Sequence, residues 1–193
     1  MPIIEVHLLE GYEDSAQQRL AEALTDASRL VVPAPPEAIT VMFHTMSVNE
    51  YYRGRSRRTP APSLPDPCVL VNQFLEHLGD RRLSDAKSMV SENFVMQFPG
   101  AAPMQDFGAL VDWAASRYQS IEKQIESTEA FGAASGTTVV YCRGTLSGVW
   151  PDGSIFNAIR FVDRFELIDG FITRQEVWND LAEIRAQAAR DTL

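Results

Sequence analysis

The sequence predicts an α+β protein built from two modules, and three observations carry that prediction. The first 44 residues read strand, helix, strand. Four prolines then fall within the eight residues 60–67. After them come helical patterns followed by a run of strands, the order expected where helices cover one face of a curved antiparallel sheet.

Residues 3–9 (Ile-Ile-Glu-Val-His-Leu-Leu) are β-branched and aliphatic and read as a strand closed by the turn Glu10-Gly11-Tyr12. Ser15, with Gln18 three residues later, has the form of a capping box. Leu20, Leu24, Ala27 and Val31 recur at helical spacing and predict one apolar stripe, ended by Pro33, Pro35 and Pro36. Residues 39–44 read as a second strand, and a helical crossover between two strands leaves them parallel. Two strands and a helix cannot cover both faces of a sheet, so size alone implies a homo-oligomer. The proline density of residues 58–67 forbids helix and sheet and predicts an extended spacer between a module at 1–57 and another at 68–193.

Beyond the spacer, helix signals cover 67–79 and 83–92, the latter opened by Ser84. A strand at 94–98 ends on Pro99-Gly100, and a helix follows over 106–120. Strands are predicted at 125–133, 137–148, 155–167 and 171–178. They are broken at Gly136, at Pro151-Asp152-Gly153 and at Asp169-Gly170.

Of 193 residues, 45% are hydrophobic and 22% charged, an ordinary globular balance. The net charge is −9; residues 1–62 hold 6 basic and 8 acidic side chains and the remainder 11 and 18. Neither part offers the basic surface a phosphate backbone needs, so nucleic acid is not an expected partner. Arg53, Arg55, Arg57 and Arg58 read as a solvated or interface segment. No apolar run approaches the roughly 20 residues that span a bilayer. No basic stretch precedes an apolar one at the N-terminus, so the expectation is a cytoplasmic protein with no membrane partner. Cys68 and Cys142 are the only cysteines and lack metal or disulfide spacing, which predicts reduced thiols and no metal site.

Pro2 is the first residue with chemical promise. Methionine is normally removed before a small second residue, and the secondary amine so exposed is a general base if burial or a nearby cation lowers its pKa. Residues 2–11 (Pro-Ile-Ile-Glu-Val-His-Leu-Leu-Glu-Gly), the following helix, Ala34-Pro35 and Ile39-Thr40-Val41 resemble the 4-oxalocrotonate tautomerase family over residues 2–55. The resemblance implies Pro2 as the base of a cofactor-free proton transfer between carbon and oxygen of enols or 2-hydroxydienoates. It also implies assembly into trimers, hexamers or related rings, with a dimer as the smaller alternative. Family arginines that grip substrate carboxylates are replaced here by Tyr12 and Thr40. The family's aromatic wall matches Tyr51, with Arg53 or Arg55 as an anion anchor. His7 and His44 are read as structural.

In the second module, Gly79-Asp80-Arg81-Arg82-Leu83, residues 94–100 (Phe-Val-Met-Gln-Phe-Pro-Gly) and residues 169–174 (Asp-Gly-Phe-Ile-Thr-Arg) carry a second resemblance. They look like the nuclear transport factor 2-like superfamily, closest to its SnoaL-like polyketide-cyclase and ketosteroid-isomerase-like branches. The resemblance implies a cone enclosing one apolar pocket for a small organic molecule. The isomerase tyrosine and base correspond to Phe74 and Phe98; the remaining acid corresponds to Asp163. The related epoxide hydrolases carry an Arg-x-Asp strand motif and a late aspartate; Arg143 and Asp180 match the arginine and the late acid, with Thr145 replacing the middle acid.

The candidate catalytic residues are therefore Pro2 and Asp163. The candidate binding residues are Tyr12, Thr40, Tyr51, Arg53, Phe98, Trp113, Tyr118, Tyr141, Arg143 and Trp178. No cofactor is expected. Asp163 reads either as an acid or base in an apolar cone or as an ion-pair partner of Arg160 and Arg164. Three functions stay open: a tautomerase, a non-catalytic small-molecule binder, and a cyclase or hydratase acting in the second module.

Overall fold

The computed structural model describes residues 2–133 and 135–191, and the chain divides into two compact units, Met1–Leu64 and Pro65–Leu193. The expectation that Met1 is removed concerns a residue outside those described.

In the first unit β1 (Ile3–Leu9) and β2 (Thr40–Met46) run parallel, with Ile3 opposite Thr40 and Leu9 opposite Met46. The crossover is α1 (Asp14–Arg29). Side chains alternate between faces. Ile4, Val6, Leu8, Val41 and Phe43 are half-buried, whereas Ile3, Glu5, His7, Met42 and His44 lie on the exposed face. Ile3 is 62% exposed there, and the His7 and His44 rings stack at 4.8 Å.

The expected capping box does not form. The residue before α1 is Glu13, which makes no side-chain cap, and Ser15 is already helical. Gln18 instead donates to the Glu22 carboxylate at 2.9 Å, one turn along the helix. The apolar stripe is also shorter than predicted. Proline disfavours helix in the residue before it, the helix ends at Arg29 ahead of Pro33, and Val31 beyond its end is 84% exposed.

The arginine-rich segment is a tight hairpin that the sequence reading did not anticipate, β3 (Tyr52–Arg53) against β4 (Ser56–Arg57). Gly54 and Arg55 turn it with φ of 56° and 46°, the pair of positive values that suits a two-residue hairpin. The first residues of the proline segment are not a free spacer. Arg19 donates to the Leu64 carbonyl at 2.8 Å, and a Cβ on Gly11 would lie 3.3 Å from Pro60. Gly11 also has a φ of 112°, which glycine alone adopts readily.

The second unit opens with α2 (Pro67–Gly79), whose N-cap Asp66 accepts from the Cys68 and Val69 amides. Then follow α3 (Leu83–Ser88), β5 (Val90–Gln97), α4 (Phe107–Ala115), β6 (Ser120–Gly132), β7 (Thr138–Val149), β8 (Ile155–Ile168), β9 (Phe171–Asn179) and α5 (Leu181–Asp191). Ser84 lies inside α3, after its N-cap Arg82, and that helix gives way to β5 sooner than predicted. The sheet order is β5-β9-β8-β7-β6, antiparallel except where β5 joins β9 in parallel.

One face of this sheet is packed under the helices. Phe74 of α2 is fully buried and meets Phe94 and Phe165 edge to face. Burial along β8 alternates without interruption from Ile159 to Leu167, so Ile159, Phe161, Asp163, Phe165 and Leu167 share the inner row. Among the described residues no helix is long and apolar enough to cross a membrane.

Candidate functional sites

In the first unit a groove of about 480 Å³ lies where β1 and β2 end, between Leu8, Leu9, Met46 and residues 58–61. Tyr12, Tyr51 and Arg53, expected to bind substrate, all line it, and Arg58, which the sequence reading did not single out, joins them. The groove is lined by no carboxylate. Neither Arg53 nor Arg58 makes an ion pair among the described residues. In a chain of net charge −9 this is a local concentration of free guanidinium, which suits an anion attached to an apolar body. The Arg58 amide donates to the Tyr51 carbonyl at 3.3 Å, so the two are tied together by backbone.

Pro2 and Thr40 lie at the other end of the same sheet, where the Thr40 amide donates to the Pro2 carbonyl at 3.1 Å. At about 3.3 Å per residue, six strand residues separate Pro2 from Leu8 by roughly 20 Å. One protomer therefore brings together Tyr12, Tyr51, Arg53 and Arg58, and separately Pro2 and Thr40, but not the two groups.

Among the described residues of the second unit, Asp163 and Gln175 are the buried polar side chains, 0% and 1% exposed. Asp163 accepts from the Lys123 ammonium and from the Gln175 amide nitrogen, the latter at 3.1 Å, both on Oδ2. Lys123 also lies over the Phe161 ring at 4.4 Å. Among the described residues the Asp163 Oδ1 and Gln175 Oε1 atoms have no hydrogen-bond partner. Leaving a buried acceptor unpaired costs about 1–3 kcal/mol.

The expected ion pairs of Asp163 with Arg160 and Arg164 are replaced by this cluster, and strand parity is the reason. Residues at odd and even offsets point to opposite faces, so both arginines lie across the sheet from Asp163. Arg160 pairs with Asp180 at 2.8 Å, and Arg164 with Glu166 at 2.7 Å and Glu176 at 3.1 Å.

The same parity divides the other expected residues. Phe98 and Tyr118 pack against the core; Trp113 sits on Phe98 at 5.0 Å, with Arg117 over it at 4.3 Å. Burial pushes the Tyr118 phenol above its ordinary pKa. Tyr141, Arg143 and Trp178 lie on the outer face. There Tyr141 stacks on Phe131, Arg143 pairs with Glu126 at 3.0 Å, and Trp178 lines a shallow groove with Arg160 and Asp180. They are not brought together with Asp163. Lys123 and Gln175 were missed, although Ile121-Glu122-Lys123-Gln124-Ile125 already alternates and sets Lys123 among inward apolar residues.

Both thiols are free; Cys142 is buried opposite Asp163 in the β7–β8 register, and burial pushes its pKa up. Among the described residues no three His, Cys, Asp or Glu side chains converge to hold a metal ion.

Comparison with known proteins matches the Tautomerase enzyme family to residues 2–57, within the first unit. No curated protein matches the chain. The solved structures it resembles align with 58–64% of it. An NTF2-like protein of unknown function from Burkholderia pseudomallei is 13% identical, covers 60% of this chain and 92% of its own, and has a TM-score of 0.49. An LEH-like epoxide hydrolase from M. tuberculosis is 18% identical over 64% of this chain and 89% of its own, TM-score 0.48. ActVI-ORFA from Streptomyces coelicolor is 14% identical over 58% and 92%, TM-score 0.44.

Proposed function

We propose that the first unit is a cofactor-free tautomerase of small enols or 2-hydroxy acids, with the Pro2 amine as general base. The observation that carries this reading is the match of residues 2–57 to the Tautomerase enzyme family, a match that starts on Pro2. The amine takes the proton from the enol oxygen and returns it to carbon, so the enol becomes its ketone and the base is regenerated.

The groove supports a substrate with a carboxylate. Arg53 and Arg58 hold the anion, while Tyr12 and Tyr51 donate to oxygens beside the reacting carbon. Because the groove and Pro2 stand at opposite ends of the sheet, the working site pairs Pro2 of one protomer with the groove of another. A homo-oligomer of two, three or six chains is thus part of the reading, and the exposed sheet face that carries Ile3 and Met42 beside the stacked His7 and His44 is the surface for it to cover. The reading requires Pro2 to be the amino terminus. Its test is ultraviolet-monitored ketonisation of phenylenolpyruvate by protein whose intact mass shows Met1 to be absent.

A further inference from the structure

We propose that residues 59–61 (Thr-Pro-Ala) are the specificity-determining wall of the first unit's groove, selecting carboxylates with a large apolar body over short ones. The inference rests on the reading of that groove as the anion-holding part of the site. It goes beyond that reading, because the three residues follow the stretch that matches the tautomerase family, which ends at residue 57.

The segment is seated rather than free. Across residues 52–65 every side chain is exposed except that of Pro60, which is half-buried. The Pro60 ring lies against the Gly11 turn, where a Cβ would come within 3.3 Å of its Cγ. The chain is tied down on both sides of it. The Arg58 amide donates to the Tyr51 carbonyl at 3.3 Å, and Arg19 donates to the Leu64 carbonyl at 2.8 Å. A proline between two such ties has little conformational freedom left.

The strand ends that complete the groove are fixed as well. The Glu10 amide donates to the Met46 carbonyl at 2.9 Å, and the Glu10 carboxylate accepts from the Ser47 hydroxyl at 3.0 Å and the Val48 amide at 3.1 Å. Gln17 donates to the Tyr12 carbonyl at 3.1 Å. The groove is thus shaped before a substrate arrives, and a preformed groove discriminates by how well it is filled.

The lining divides by chemistry. Arg53 and Arg58 take the carboxylate, which leaves Leu8, Leu9, Met46, Pro60 and Ala61 to receive the body. A short acid leaves most of the 480 Å³ to water, whereas an aromatic body displaces that water and covers apolar surface. Two of those five apolar residues come from the seated segment, and Pro60 is the one that anchors it.

The experiment is calorimetric titration of the full chain with 3-phenylpropionate and with propionate, which share the carboxylate and differ in the body. The wall predicts that wild type binds 3-phenylpropionate at least about tenfold more tightly, the low end of what apolar pockets discriminate. Pro60→Gly, with the circular dichroism spectrum and oligomeric state of the wild type, should cut that advantage to within about threefold. Arg58→Ala should weaken both acids and keep their ratio, since it removes the partner of the anion and not the wall. Binding needs no proton transfer, so a catalytically silent Pro2 leaves these outcomes intact, and a failed selection leaves the Pro2 chemistry untouched. Equal or absent binding of the two acids by wild type overturns the proposal. An advantage that survives in Pro60→Gly overturns it as well, because the body is then held elsewhere.

Discussion

The Lys123 ammonium, carried by β6, reaches the Asp163 carboxylate on β8 across the inner face of β7, where Gly144 presents no side chain between Cys142 and Leu146. Gly144 stands opposite a register shift in β6, and a Cβ there would lie 1.9 Å from the Gln124 carbonyl oxygen. Backbone cannot yield to that contact as a flexible side chain does. Gly144→Ala therefore displaces the β6 segment that holds Lys123 and costs about 3 kcal/mol, at the upper end of overpacking effects. Urea denaturation measures it; a wild-type midpoint contradicts it.

The ion pair itself gives a second prediction. Removing one partner of a buried pair leaves a charge with no solvent, at a cost of about 3 kcal/mol, whereas replacing both with apolar side chains of similar volume is close to neutral. Lys123→Met should thus destabilise the second unit, and Lys123→Met with Asp163→Leu should recover most of the loss. A double-mutant cycle by chemical denaturation reads the coupling. Additive losses would mean that the two residues do not act as a pair.

Burial pushes the Cys68 and Cys142 thiols above their ordinary pKa. A raised folded-state pKa means that the protonated thiol contributes its full stability below the unfolded value, near pH 8.5. That contribution is lost as pH rises through the higher folded value. Unfolding free energy should fall from about pH 8.5 upward, less steeply in Cys142→Ala. A thiol reagent at pH 8 should leave Cys142 untouched in native protein. A pH-independent stability between 8 and 10 would contradict the assignment.

In the groove of the first unit, Arg58 has no acidic partner among the described residues and sits with Arg53 beside Tyr12 and Tyr51. Arg58→Ala should raise KM for a carboxylate-bearing enol about tenfold, an effect of about 1.4 kcal/mol, with kcat nearly unchanged. The wild-type KM should rise with ionic strength, as expected of an exposed charge. An unchanged KM would place the anion elsewhere.

Much of this was legible in advance because strand and helix periods are local. The β-α-β unit, α2 at 67–79 and the β7–β9 run follow directly from apolar spacing and turn residues. The arginine hairpin did not, because its turn uses Gly54 with Arg55 rather than a residue that favours positive φ. The start of α1 was misplaced because Ser15 has the chemistry of a cap but lies inside the helix, and α3, read as 83–92, starts at Leu83 but ends at Ser88 because Val90 already opens β5. α5, which packs Leu181 against the core and sets Arg185 over Trp150 at 5.3 Å, was not predicted at all. Its alanine-rich composition favours a helix, and Asn179-Asp180 before it has the chemistry of a helix start, the Leu181 amide donating to the Asn179 side chain at 3.2 Å.

The candidate sites were partly legible. Asp163 stands out as the one acid in an inward apolar row, and parity alone would have separated it from Arg160, Arg164, Tyr141, Arg143 and Trp178. Its actual partners come from β6 and β9, and pairing across strands is a tertiary fact that one strand's sequence does not contain. Pro2 and its partners pose the opposite case. Every residue but Arg58 is singled out by the sequence, yet one chain holds them at two ends of a sheet.

Ketonisation of phenylenolpyruvate by wild type and Pro2→Ala shows whether the Pro2 amine is the base. If it is, kcat/KM falls at least about 100-fold, equivalent to 2.7 kcal/mol of transition-state stabilisation, in a variant with the wild-type oligomeric state. Equal rates in the two proteins would contradict it and leave the first unit as a scaffold.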